Sequence, residues 1–174
     1  MIPRRPPPIH AGEPPARGET LWERVIASRP EQQRPTIDAL IAALRRRGVL
    51  TAPDQAVVRL CLDEALTNSM LHGNEGDPDL SLGIRLALEP TRWLVTISDA
   101  GTGFSPECIP AGDIGCDRDP DPAALRAAAP PPAVTAESGR GIRLLQAYLE
   151  ELAYWRGGAV VVLGGRRADV PAPS

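Results

Sequence analysis

Three groups of residues in this sequence have types and spacings that could do chemistry. The first is Asp63-Glu64-Ala65-Leu66-Thr67-Asn68-Ser69-Met70-Leu71-His72-Gly73-Asn74. Glu64 and Asn68 stand four apart, so in a helix they share one face, and His72 continues that line. A carboxylate can take a proton from a hydroxyl or a water as a general base. An Asn amide oxygen is a hard, neutral ligand for Mg²⁺, whose remaining positions go to phosphates and water. A polar solvent face that stops at Gly73 would have the same pattern. The second group is Ser98-Asp99-Ala100-Gly101-Thr102-Gly103-Phe104. A buried carboxylate only accepts hydrogen bonds, which matches an exocyclic amine such as adenine N6. Glycines let the backbone approach a flat ring, although Asp-x-Gly also makes ordinary strand-to-loop turns. The third group is Ser138-Gly139-Arg140-Gly141-Ile142-Arg143-Leu144. Glycines ahead of a helix free backbone N–H groups for a phosphate, and Arg140 adds positive charge. A plain loop-to-helix junction reads alike. Neither glycine pair completes Gly-x-Gly-x-x-Gly, and the context is not a βαβ unit, so a dinucleotide fold of that kind is excluded.

The elements that must position these groups can be read from periodicity. Thr20–Ser28 has β-type residues and reads as a first strand. Pro35 sits where a helix would start, Ile37, Leu40, Ile41 and Leu44 recur at helical spacing, and Gly48 closes that helix. A second helix is expected from Pro53 or Asp54 to about His72, capped by Thr51 or Asp54, with Val57, Val58, Cys61, Leu62, Ala65 and Leu66 as its apolar face. Gly73 to Pro78 is a loop. Leu80–Leu88 and Arg92–Ser98 alternate as strands of an antiparallel hairpin. Residues 105–138, dense in Pro, Asp and Ala, form a long loop of the kind that serves as a lid or an insert. A third helix begins around Gly141, and Ala153–Trp155 with Ala159–Leu163 reads as a second hairpin split by Gly157-Gly158. This order predicts an α+β fold, a two-layer α/β sandwich with a mixed, mostly antiparallel sheet and helices on one face. Residues 1–17 are expected to be a disordered Pro-rich tail, 18–167 the domain with 105–138 as its lid, and 168–174 a second tail.

Composition bounds the function. The chain has 174 residues, 43% of them hydrophobic but only 3% aromatic, so its core should be aliphatic. The formal net charge is −3, and Arg45-Arg46-Arg47 suits a helix C-terminus rather than a nucleic-acid footprint. All 19 basic residues are Arg, and a phosphate-binding P-loop requires Lys. The three cysteines, Cys61, Cys108 and Cys116, fit a reduced cytoplasm better than a disulfide framework. Cys61 reads as a core residue, and Cys108 with Cys116 falls short of a zinc site. No apolar stretch approaches the roughly 20 residues needed to cross a bilayer, and the N-terminus lacks the apolar core of a signal peptide, so a cytoplasmic protein without membrane contact is expected.

Taken together, the three groups resemble the GHKL superfamily of ATPases, to which gyrase and the histidine kinases belong. Glu64-x-x-x-Asn68 is similar to its N box, Asp99-x-Gly101-x-Gly103 to its G1 box and Gly139-x-Gly141 to its G2 box. Asp63-Glu64-Ala65-x-x-Asn68-x-x-x-His72-Gly73-Asn74 and Ser138-Gly139-Arg140-Gly141-Ile142 resemble most closely the anti-sigma-factor serine/threonine kinases. The resemblance spans roughly Glu19 to Arg167. It implies a Bergerat-type ATP-binding fold, with ATP and Mg²⁺ as cofactors. Glu64 would be the base, Asn68 the Mg²⁺ ligand and Asp99 the reader of adenine. Gly101 and Gly103 would shape the base pocket, and Gly139, Arg140, Gly141 and Ile142 would border the phosphates. His72 would be a further cofactor-site residue or a structural one. The implied partners are a STAS-type anti-sigma-factor antagonist, a sigma factor and a second copy of the chain. The alternative is an ATP-binding anti-sigma factor or adaptor without transfer activity. One departure stands out: family members often carry Gly-Thr in the penultimate strand, where the Thr supports the adenine-reading Asp, and the comparable pair here is Gly158-Ala159.

Overall fold

The structure is a computed structural model and describes residues 7–103 and 145–171. Five strands form one sheet: β1 (Glu19–Ala27), β2 (Ser81–Leu88), β3 (Arg92–Ser98), β4 (Glu151–Trp155) and β5 (Val160–Arg166). Their spatial order is β1-β2-β3-β5-β4, and every neighbouring pair is antiparallel. Both expected hairpins are present, β2–β3 and β4–β5. The expected mixed character reduces to one isolated parallel bridge, Ile9 to Tyr154, outside the named strands.

Alternation along the strands builds the core on one face. Leu82, Ile84, Leu86 and Leu88 of β2 join Trp93, Val95 and Ile97 of β3 and Val161 and Leu163 of β5 in one buried cluster. The pairs Ile84–Ile97, Leu86–Val95 and Val95–Leu163 lie directly across from one another, as the period of two requires. Helices α1 (Pro30–Arg46) and α2 (Ala52–Asn68) cover this face with Ile37, Leu40, Leu44, Val58, Leu62 and Leu66. The core is mainly aliphatic, but Trp93 and Tyr154 are buried in it as well.

Helix α1 starts at Pro30, five residues before the expected start, and Pro35 lies inside it. Pro30 occupies the first helical turn, where the missing N–H would have no partner anyway. Pro35 costs one helical hydrogen bond without ending the helix, because Ile37 to Leu44 are buried on its C-terminal side and Gln33 bonds to Asp63 and Thr67 of α2 on its N-terminal side. The C-terminus is a full Schellman closure. Gly48 has φ +67°, its N–H donates to Arg45 O at 2.9 Å, and the Val49 N–H donates to Leu44 O at 3.2 Å. Thr51 caps α2 by accepting from the Asp54 N–H at 3.3 Å. Cys61 is fully buried, packed with Val57 against Leu145, one of the helical residues 145–148. Burial, aided by the Glu64 charge, pushes its thiol up to about 12, so it is an inert core residue.

Residues 8–17 lie against the edge of the sheet. The Tyr154 N–H donates to Pro8 O at 2.9 Å, and the His10 N–H donates to Tyr154 O at 2.8 Å. Arg17 forms ion pairs with Glu151 and Glu89, and Arg85 donates to the carbonyls of Arg17 and Gly18. A Pro-rich composition argues against helix and core strand, but it still permits an extended segment that pairs with an exposed strand edge. No helix among the described residues is long and apolar enough to cross a membrane.

Candidate functional site

Helix α2 carries the first group. Glu64 and Asn68 are half-buried neighbours one turn apart, and Asn68 Nδ2 donates to Glu64 Oε1 at 3.2 Å. That bond orients the amide so that Asn68 Oδ1 is the atom left to accept a donor or a cation. Burial raises the Glu64 carboxyl above the usual carboxylate range. The Asn68 hydrogen bond opposes this, the Asp63 charge adds to it, and His72 opposes it. From the far side, Gln33 of α1 ties down the same turn, donating through Nε2 to Asp63 O, Asp63 Oδ1 and Thr67 Oγ1 at 2.8–3.0 Å.

The α-helical geometry stops at Asn68. Ser69–Gly73 form a π-helical turn, closed by the Asn74 N–H donating to Ser69 O at 2.8 Å. His72 lies in this turn and stands exposed, and its charge acts on the Glu64 carboxyl. Left-handed backbone at Glu75 (φ +54°) and Gly76 (φ +73°) then turns the chain towards β2.

The second group meets the end of this turn. Asp99 follows β3 and is only 7% exposed, and its N–H donates to Ala159 O at 2.9 Å. Its Oδ1 accepts from the Gly101 N–H at 3.0 Å. A Cβ on Gly73 would overlap Oδ2 and Cγ of Asp99, and a Cβ on Gly101 would overlap Gly73 O. Only glycine at both positions allows this approach. Burial pushes the Asp99 carboxyl up to about 6, with the Gly101 N–H and the Arg156 charge pulling the other way. Gly103 (φ +86°) sits against the carbonyl of Gly157, in the single-turn 3₁₀ segment Arg156–Gly158 between β4 and β5. The Arg156 guanidinium lies 3.4 Å from Ser98 Oγ.

Two of the three predicted groups therefore share one place: the end of the Glu64–Asn68 helix abuts the Asp99–Gly103 loop. The third, Gly139, Arg140, Gly141 and Ile142, lies outside the described residues, as do Phe104, the 105–138 segment, Cys108 and Cys116. Among the described residues no cluster of three or more His, Cys, Asp or Glu could hold a metal. Two residues that matter here were not singled out by sequence reasoning. Asn74, 1% exposed, joins the two groups: its Oδ1 accepts from the Ala100 N–H at 2.9 Å and its Nδ2 donates to Ser81 O at 3.3 Å. Arg156 flanks Asp99. Asn74 ends the first motif, so its position was visible, but the identity of its partner was not. Gly158-Ala159 falls in the turn that leads into β5, and Ala159 supports Asp99 through its backbone carbonyl alone.

The histidine kinase-like ATPase domain model matches residues 26–164. The chain belongs to this family. The match contains Glu64, Asn68, Asp99 and the glycines around them, and it places the antiparallel sheet with helices on one face among the GHKL ATP-binding folds. The protein is therefore read as an ATP-binding domain. A search of curated proteins found no significant match.

The contact between Gly73 and Asp99 makes a specific prediction. In the family member described here, Gly73→Ala should keep the fold, because Gly73 has no left-handed backbone requirement and the Asp99 side chain can swing aside. Nucleotide affinity should fall about ten- to hundredfold, since the displaced carboxylate loses a charge-assisted hydrogen bond worth roughly 1.5–3 kcal/mol. Calorimetric titration with ADP, alongside a circular dichroism melt, checks both halves.

Proposed function

We propose that the protein is an ATP-dependent serine/threonine kinase of the anti-sigma-factor type. It phosphorylates a STAS-type anti-sigma-factor antagonist and so switches a sigma factor between partners in the cytoplasm. The observation that most supports this reading is the Glu64–Asn68 pair, a half-buried carboxylate held by an amide on the helix whose end abuts Asp99.

The donor set fits an adenine nucleotide with a divalent cation. Asp99 keeps Oδ2 for an exocyclic amine while Oδ1 is held by Gly101. The backbones of Gly73 and Gly101 form a surface that any Cβ would fill. Asn68 offers a neutral amide oxygen of the kind Mg²⁺ accepts. Mg·ATP supplies the γ-phosphoryl group, which passes to the serine oxygen with ADP as leaving group, and the metal charge that offsets the phosphate oxygens. Glu64 takes the proton of the attacking serine hydroxyl. Asn68 keeps the Glu64 carboxylate turned towards the site.

The test is direct. Purified protein, ATP·Mg²⁺ and a STAS-type antagonist from the same genome should give one phosphoserine on the antagonist, seen by intact mass. A second reading, an ATP-binding anti-sigma factor or adaptor without transfer, is favoured by Ala159, which brings no hydroxyl to Asp99. Tight ADP binding with no phosphoprotein across several antagonists would select it.

A further inference from the structure

Residues 7–17 precede the family match, which begins at residue 26, and the site as described does not use them. They run along the outer edge of β4 and continue past its end. The Gly157 N–H donates to His10 O at 3.0 Å and the Arg156 N–H donates to Gly12 O at 2.9 Å. The His10 ring stacks on Trp155 with centroids 4.1 Å apart. The Glu13 carboxylate lies 3.5 Å from Arg156 Nε. At the far end, Arg17 pairs with Glu151 and Glu89.

The segment Arg156–Gly158 that receives these bonds holds one non-glycine residue in left-handed backbone. Arg156 (φ +50°), Gly157 (φ +64°) and Gly158 (φ +112°) are all left-handed, and Arg156 is one of only two non-glycine residues with positive φ among the described residues. The two glycines adopt this region freely, but a residue with a side chain, as Arg156 has, stays there only where its surroundings fix it. Here the N-terminal segment supplies the acceptors for two consecutive N–H groups of the turn. The turn in turn touches the Asp99 loop twice: Gly157 O abuts Gly103, and the Arg156 guanidinium reaches Ser98.

We propose that residues 8–13 are positioning residues for nucleotide recognition: they clamp the Arg156–Gly158 turn against Gly103 and thereby fix one wall of the base pocket. This rests on reading the Asp99 loop as the adenine site. The clamp contributes by preorganisation, removing freedom from the pocket before ligand arrives rather than touching the ligand.

Full-length variants test it by calorimetry with ADP. The double variant His10→Pro, Glu13→Ala removes one pairing N–H, the ring stack and the ion pair, and it should bind ADP about tenfold more weakly. His10→Phe keeps the stack and the backbone N–H and should bind as wild type does. Arg17→Ala loosens the far end of the same segment, so it should lower the melting temperature and leave ADP affinity unchanged. Amide exchange at Arg156 and Gly157 should speed up in the double variant and not in Arg17→Ala. Unchanged affinity in the double variant overturns the proposal. So does an equal loss in Arg17→Ala, since the effect would then be one of general stability. Should the double variant fail to fold, Glu13→Ala alone decides: a loss of about threefold supports the clamp and no loss rejects it. A wild-type chain that binds no ADP overturns the adenine reading itself, and the clamp with it.

Discussion

Glu64→Gln should leave nucleotide binding within about twofold of wild type and lower phosphoryl transfer to the antagonist by about 10²- to 10⁴-fold, the usual range for losing a general base. Gln is the informative replacement because of Asn68. The Gln side-chain carbonyl can still accept from Asn68 Nδ2, as Glu64 Oε1 does at 3.2 Å, so the amide stays oriented and any cation ligand it provides is kept. What is lost is the capacity to take a proton. Ala at the same position removes the acceptor as well, frees the Asn68 amide to turn, and should weaken Mg²⁺-dependent nucleotide binding in addition. Comparing single-turnover transfer rates with ADP and ATP affinities separates the two roles. Transfer by Glu64→Gln at a rate within a few fold of wild type would show that Glu64 is not the base.

The value of that comparison depends on how the site is held, and here sequence and structure contributed different things. The Glu64–Asn68 spacing was legible because an α-helix brings residues four apart onto one face, and α2 keeps that geometry as far as Asn68. The wider turn at Ser69–Gly73 was not legible, because hydrophobic periodicity cannot register a single π-helical closure. The sheet was legible from alternation in β2 and β3, whose core-cluster residues Leu82, Ile84, Leu86, Leu88 and Trp93, Val95, Ile97 fall on every second position, although Ala87 and Leu94 between them are buried too. The start of α1 was not, because two prolines five residues apart both fit a first turn, and the bonds of Gln33 to Asp63 and Thr67 on α2, which hold the stretch between them, are long-range. Residues 8–13 were unreadable for another reason. Their structure comes from partners about 145 residues away on β4, and composition carries no information about such long-range pairing. The glycines of the Asp99 loop show the reverse case. Their types were visible, but that Gly73 and Gly101 are required by each other's backbone, and by Asp99 between them, appears only when α2 and β3 are brought together.

Asp99 lies at the centre of that contact, and Asp99→Asn should cost about 100-fold in adenine-nucleotide affinity while melting no lower than wild type at pH 7.5. The carboxylate has two acceptors, one engaged by the Gly101 N–H at 3.0 Å and one left for a ligand amine. An Asn has a single acceptor. In either flip its NH₂ group faces a donor, Gly101 or the amine, and an unpaired buried donor costs roughly 1–3 kcal/mol in addition to the lost charge-assisted bond. Stability moves the other way. Burial raises the Asp99 carboxyl from 3.8 to about 6, so the folded state holds its proton more tightly than the unfolded chain does. The stabilisation from that proton is complete below pH 4 and is lost as pH rises through 6. Above pH 6 wild type carries a cost of order 2 kcal/mol, once solvent screening is allowed for, that the neutral Asn does not. The gap in melting temperature between Asn variant and wild type should therefore shift in favour of the variant between pH 4.5 and pH 7.5. Binding closes the same cycle. An amine donor stabilises the ionised form, so ADP should release protons from wild type near pH 6, seen as a dependence of the calorimetric enthalpy on buffer ionisation heat. The Asn variant, at high ADP, should release fewer, because the Asp99 contribution is gone and only that of the ADP phosphate is left. A variant that binds ADP as tightly as wild type, or proton release undiminished in it, would remove Asp99 from the base site and with it the physical basis for reading this loop as adenine-specific.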